Sequence, residues 1–150
     1  MTPSIHIREY TPGDKPAVLD LLRLNTPAYF APEEEADLIR YLDKEIDIYY
    51  VLECENAVVG CGGINFADNR TTGKISWDIF HPAYQGKSLG TLLLKHRIKK
   101  LKTIESIQLI LVRTSQLAYR FYEKNGFELL EVVKDHWAKG FDLYRMKYRG

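Results

Sequence analysis

The sequence predicts one α/β (α+β) domain spanning residues 1–150, a mixed sheet with helices on its faces. Three observations carry this. A chain of 150 residues fits a single hydrophobic core. Patterns of period 2 and period 3.6 follow one another in the order β-α-α-β-β-β-α-β-α-β-β. Composition is that of an ordinary globular protein, 45% apolar and 27% charged, with no repeat, low-complexity tract or linker to divide it.

Ser4–Arg8 alternates as a first strand, with Ile5 and Ile7 on one face. Thr11-Pro-Gly-Asp14 is a turn ending in a helix cap, after which Ala17, Val18, Leu21, Leu22 and Leu24 recur at helical spacing. Two prolines break the pattern between Asn25 and Pro32. Glu33-Glu-Glu35 then opens a second helix with acids at its positive end, and Leu38, Ile39, Leu42 and Ile46 form its apolar face. Ile48–Glu53 and Ala57–Phe66 read as strands joined by a hairpin turn at Glu55-Asn56. Asp68–Gly73 is a further turn, and Lys74–Phe80 a further strand. A third helix covers Leu89–Leu101. Ser106–Val112 is almost wholly apolar, which predicts a central strand covered on both faces. Ser115–Lys124 reads as a helix stopped by Asn125-Gly126. Phe127–Val133 and Phe141–Lys147 close the chain as strands, with Asp135–Gly140 as their connection.

Composition excludes several classes of function. The formal net charge is +1, from 21 basic and 20 acidic side chains, without the basic excess of a nucleic-acid binder. Lys95, His96, Arg97, Lys99, Lys100 and Lys102 crowd the end of the third helix, where a solvated face and the helix dipole account for them. No apolar run is long enough for a bilayer span and the N-terminus does not read as a signal peptide, so a cytoplasmic protein without membrane contact is expected. Cys54 and Cys61 lie in strand-like runs and read as buried free thiols. The four histidines are scattered, and no metal site is expected.

The most informative segment is Trp77-Asp-Ile-Phe-His-Pro-Ala-Tyr-Gln-Gly-Lys-Ser-Leu-Gly-Thr91. A strand ends at a proline, a loop with glycine follows, and a helix begins. The first N–H groups of a helix lack internal partners and carry partial positive charge, which suits a phosphate or pyrophosphate. A P-loop would need a further glycine at position 81, where His81 stands. An ordinary strand–turn–helix connection is the plain structural alternative.

This stretch resembles motif A of the GCN5-related N-acetyltransferase (GNAT) superfamily, Gln/Arg-x-x-Gly-x-Gly/Ala, here Gln85-x-x-Ser88-x-Gly90. Ser88 stands where the family has glycine. Phe80-His-Pro-Ala-Tyr84 is similar to the lead-in of that motif. Ser115-Gln-Leu-Ala-Tyr-Arg-Phe-Tyr-Glu-Lys-Asn-Gly-Phe127 is similar to the family's Asn-x-x-Ala-x-x-Phe-Tyr-x-x-x-Gly-Phe, at the expected separation. The resemblance implies a mostly antiparallel sheet whose central strand pair splays apart. It implies an acetyl-CoA cosubstrate and an amine acceptor. The amides of Gln85, Gly86, Lys87, Ser88, Leu89, Gly90 and Thr91 would take the diphosphate. The backbone of Ile79 and Phe80 would pair with the pantetheine arm, and Gln116 would contact that arm.

By the same resemblance, Tyr122 stands where the family places its general acid. A phenol is neutral at pH 7 and can donate to a leaving thiolate. The acceptor amine needs help in losing its proton. The family's usual glutamates are replaced by Lys74 and Leu111, which leaves Asp78 and His81 as the ionisable groups near the strand end, Asp78 as the candidate base and His81 read as a locally satisfied loop residue. Strand alternation would put Asp78 on one face with Ser76 and Phe80. Asn25–Pro32 and Asp135–Gly140 are candidate walls for the acceptor. Many members form homodimers, which the resemblance leaves open here. The missing glutamates and Ser88 also fit a non-catalytic acyl-CoA-binding or regulatory module.

Overall fold

A computed structural model describes residues 4–84 and 88–150. The strands are β1 (Ile5–Glu9), β2 (Ile48–Cys54), β3 (Ala57–Ala67), β4 (Thr72–Phe80), β5 (Leu109–Thr114), β6 (Phe127–Ala138) and β7 (Phe141–Tyr148). The helices are α1 (Lys15–Leu24), α2 (Glu34–Lys44), α3 (Leu89–Lys102) and α4 (Tyr119–Lys124). Glu55 and Asn56 both adopt left-handed backbone, which turns β2 directly into β3. A longer left-handed run, Asp68–Arg70, returns β3 to β4. The sheet order is β1-β2-β3-β4-β5-β7-β6, and every pair is antiparallel except β4–β5. That parallel pair requires a crossover, supplied by α3.

Two apolar cores hold the helices to opposite faces. On one, α1 and α2 bury Val18, Leu21, Leu22, Leu38 and Tyr41 against Tyr49, Val51, Cys61 and Ile79. On the other, Leu93, Leu94, Ile98 and Leu101 of α3 pack with Tyr122 of α4 against Leu52, Ile75, Val112 and Met146. Each fully buried leucine contributes about 1.5–3 kcal/mol. Both cysteines are free and buried.

Four elements differ from the sequence reading. β5 begins at Leu109 because the preceding residues form a turn, in which Ser106 bonds the Arg70 carbonyl and the Gln108 and Leu109 amides both reach Thr71 O. It is covered fully on one face only, since Leu111 is half-buried. The α4 helix starts at Tyr119, because Ser115–Ala118 forms a turn in which Ser115 Oγ accepts the Leu117 amide. β6 runs on to Ala138, so most of the expected Asp135–Gly140 connection is strand. Finally, Arg97 is not on the solvated face of α3 but fully buried beneath it.

Candidate active site

The site grows out of an irregularity in β4. Its register with β3 runs Gly63↔Ser76 and then Cys61↔Ile79, so Trp77 and Asp78 together oppose Gly62. This is a β-bulge, which bends and twists the strand that carries it. Trp77 takes left-handed backbone there (φ 49°), and Tyr49 Oη fixes the bend by donating to the Trp77 carbonyl at 2.8 Å. β4 pairs with β5 only from Thr72↔Leu109 to Ile75↔Val112. Beyond that point residues 76–80 part from β5.

The extra residue also resets which way side chains point. Ser76 and Trp77 both face Tyr41 of α2, and Trp77 also stacks on Phe30 of the preceding loop at 6.3 Å. Asp78 and Phe80 face α3 and α4. Asp78 therefore shares a face with Phe80 as expected, but not with Ser76. Simple alternation fails because it takes no account of the bulge.

Asp78 sits in a buried network. Arg97 Nη1 donates to Asp78 Oδ1 at 2.5 Å and Nη2 to Oδ2 at 2.8 Å. Arg97 also donates to the carbonyls of Gly63 and Leu93. Tyr122 Oη donates to Asp78 Oδ2 at 2.6 Å. Gly62 is required opposite, since a Cβ there would collide with Asp78, Arg97 and Leu93. Both oxygens of Asp78 are thus engaged by a cation and a phenol. Burial, then the Asp78 charge, pushes the Tyr122 hydroxyl well above the usual phenol range. It stays protonated at any physiological pH.

Sequence reasoning missed Arg97, although a signal existed. Position 97 lies four residues after Leu93 and four before Leu101, on the apolar stripe of α3. A cation at such a position needs a buried counter-charge, and Asp78 is it.

The parted strands open a cleft of about 1260 Å³, larger than the usual single-ligand pocket. On the α3–α4 side it is lined by Phe80, Tyr84, Ser88, Leu89, Gly90, Thr91, Phe121 and Asn125, and Asp78, Ile79 and Tyr122 line it where the strands part. Among the described residues the first α-helical bond of α3 runs from the Leu92 amide to Ser88 O, and the amides of Leu89, Gly90 and Thr91 have no intrahelical acceptor there. Gly90 permits close packing, since a Cβ there would stand 3.0 Å from the Phe121 ring. Ser88 holds left-handed backbone (φ 62°), a conformation that glycine takes at no steric cost. Gln85, Gly86 and Lys87, expected to contribute further amides, lie outside the described residues. The Phe80 carbonyl accepts Nδ2 of buried Asn25 at 2.9 Å, tying α1 to the end of β4.

Gln116 is not brought to the cleft. Its Nε2 donates to Gly140 O and its Oε1 accepts the Asp142 amide, so the side chain braces the β6–β7 hairpin. Both loops expected to wall an acceptor reach the cleft, on the opposite side of the sheet. Tyr29 and Phe30 come from the first loop, and Trp137 from the end of β6. Glu34 also lines this side. Its carboxylate caps the Ala31 amide, and burial raises its pKa. Cys61 is fully buried, and desolvation pushes its thiol up to about 12. Among the described residues no group of His, Cys, Asp and Glu is placed to hold a metal ion.

Known proteins resemble this chain in sequence and in fold. The chain is 24% identical over 130 residues to an amino-acid acetyltransferase of Yersinia enterocolitica, covering 84% of this chain but only 27% of that relative. Its fold matches the ribosomal-protein-S18-alanine N-acetyltransferase of Escherichia coli with a TM-score of 0.80 at 16% identity, over 97% and 93% of the two chains. It matches an aminoglycoside 6'-N-acetyltransferase complexed with coenzyme A with a TM-score of 0.76 at 17% identity, over 95% of each chain. The sequence profile of the Acetyltransferase (GNAT) family matches residues 17–127, from α1 through the cleft to the start of β6, and the chain belongs to that family.

Proposed function

We propose that this protein is an acetyl-CoA-dependent N-acetyltransferase. It moves an acetyl group to a primary amine by direct attack while both substrates are bound. The observation that carries this reading is the parting of β4 and β5 beyond Ile75 and Val112, which leaves one cleft lined from both faces of the sheet, Tyr122 among its lining residues. One substrate can enter from each face.

On the α3–α4 side, the amides of Leu89, Gly90 and Thr91 would hold the diphosphate, with Ser88 starting the turn. The β4 backbone at Ile79 and Phe80 would pair with the extended arm. The donor supplies a thioester carbonyl. The amine, bound neutral, bonds through nitrogen to that carbon, the C–S bond breaks, and the sulfur leaves with the electron pair; the proton that nitrogen sheds passes to solvent, from which the phenol regains the one it gives to sulfur. Tyr122 Oη, which lines the cleft, would donate to that sulfur. At rest its hydroxyl donates to Asp78 Oδ2, and turning it to sulfur gives up a charge-assisted bond of about 1.5–3 kcal/mol. The developing thiolate offers an equivalent bond.

The engagement of Asp78 by Arg97 and Tyr122 does not suit it to the base role expected from the sequence. We assign it instead to positioning Tyr122. Cys61, buried and held protonated, is no candidate for carrying the acyl group, which favours the direct route over a covalent enzyme intermediate.

The test is release of free CoA from acetyl-CoA in the presence of a panel of amines. Initial rates over both substrates should give intersecting reciprocal plots, and parallel lines would refute direct attack. Tyr122→Phe should lower kcat by about 10²–10⁴-fold with CoA affinity within about twofold of wild type. Unchanged kcat would remove Tyr122 from the chemistry. Tight CoA binding without transfer to any amine would leave a binding module in place of an enzyme.

A further inference from the structure

The acceptor side of the cleft has an unusual charge arrangement. Val112 and Met146 are paired across β5 and β7 and both point into the core beneath α3. Their neighbours Arg113 and Arg145, also a directly opposed pair, therefore share the other face, the one that carries α1 and α2 over β3 and β4. Lys74 joins them. It pairs with Leu111 on one side and with Asn65 on the other, and Asn65 meets Tyr41 of α2 on this same face. Lys74, Arg113 and Arg145 all line the cleft.

Like charges directly opposed on neighbouring strands repel. Among the described residues few groups relieve this cluster, and Arg113 is exposed to solvent at the cleft. Arg145 pairs with Glu131 at 3.0 Å. Arg113 donates to His136 Nε2 at 2.9 Å and lies over the Trp137 ring, and neither contact offers a carboxylate. Among the described residues, Arg113 and Lys74 have no ion-pair partner within 4.0 Å. The carboxylates on the cleft wall are engaged elsewhere. Glu34 holds the Ala31 amide, Glu45 pairs with Arg40, Asp68 accepts the Thr72 hydroxyl, and Asp78 belongs to Arg97. Arg113 also follows directly on Val112, the last β5 residue paired with β4, and so stands where the strands part.

We propose that the acceptor is an amine that also carries a carboxylate, and that Arg113, with Arg145 and Lys74, holds that carboxylate. The inference rests on the acetyl-transfer reading above. A planar guanidinium binds a carboxylate through two parallel hydrogen bonds. An anion held there would leave the amine of an amino acid at the point where the strands part. The aromatic groups Phe30, Trp77 and Trp137 would enclose its remaining, apolar portion.

The experiment compares each of a set of amino acids with its own carboxamide, alongside neutral alkylamines and a polyamine. Arg113→Gln and Arg145→Gln are assayed in parallel with wild type. The expected result is a kcat/KM for carboxylate-bearing amines about tenfold or more above their amides. In Arg113→Gln that ratio should fall towards one, with the acetyl-CoA KM unchanged. Equal or better turnover of amides, alkylamines or the polyamine would overturn the inference and leave acetyl transfer standing. If no amine is acetylated, calorimetric titration of N-acetyl amino acids and their amides into the CoA-saturated protein decides. Binding of the acids alone, lost in Arg113→Gln, would uphold the carboxylate site while the catalytic reading falls. Absence of binding would overturn both.

Discussion

Replacing Asp78 by Asn tests the centre of this structure, because it removes a charge and keeps the shape. The Arg97 side chain is 0% exposed and that of Asp78 7%, so neither charge can be relieved by water. Loss of one partner from a buried pair destabilises by about 3–5 kcal/mol, since the other charge remains. Arg97 keeps its bonds to Gly63 O and Leu93 O, which places the expected loss near the lower end, at about 3 kcal/mol. For a domain of this size that lowers Tm by about 6–12 °C and the urea midpoint by about 1 M or more. Arg97→Met should cost a similar amount, because it strands the Asp78 carboxylate. The double variant Asp78→Asn/Arg97→Met should recover most of the loss, because an apolar side chain beside Leu93 strands no charge. Urea unfolding followed by circular dichroism and tryptophan fluorescence measures all four proteins. A single-variant loss below about 1 kcal/mol, or a double variant as unstable as the sum of the singles, would refute the buried-pair account.

Other outcomes are expected. Ser88→Gly should stabilise the fold by up to about 1 kcal/mol, because Ser88 holds φ 62° at the start of α3, and a loss of stability would show that its side chain compensates the strain. Asp14 accepts bonds from Arg8 and from the Thr11 amide and hydroxyl, and the Arg8 bond holds its carboxyl down at about 2. Its folded value lies below its unfolded one, so its contribution is complete above about pH 4 and vanishes as pH falls through 2. The stability gap between wild type and Asp14→Asn should therefore close over that window in acid unfolding, and a gap that stays constant would contradict the assignment. Because Tyr122 stays protonated, the pH–rate profile should show no falling limb from this residue below about pH 10, and such a limb, abolished in Tyr122→Phe, would count against it.

How much of this was legible in the sequence depends on how local the cause was. The order of elements followed from periodicity, since the two faces of a strand and the stripe of a helix are written in adjacent residues. The Glu55-Asn56 hairpin and the stop of α4 at Asn125-Gly126 followed from turn chemistry. The motifs at Gln85–Gly90 and Ser115–Phe127 pointed to the family, because the start of α3 and the placement of Tyr122 are set within a few residues.

Contacts between distant segments decided the rest. Asp78 looked like a free base beside Ser76, yet the bulge at Trp77, held by Tyr49 from another strand, turned it towards α3. Arg97 looked solvated among lysines, yet its counter-charge waited 19 residues away in sequence. Gln116 looked like a ligand contact, yet the β6–β7 hairpin claimed its amide. The opposition of Arg113 and Arg145 is a matter of strand register, and register joins residues that no local pattern relates. Periodicity tells a side chain whether to be buried. Only the folded chain determines what it is buried against, and for a charged group the partner sets the chemistry.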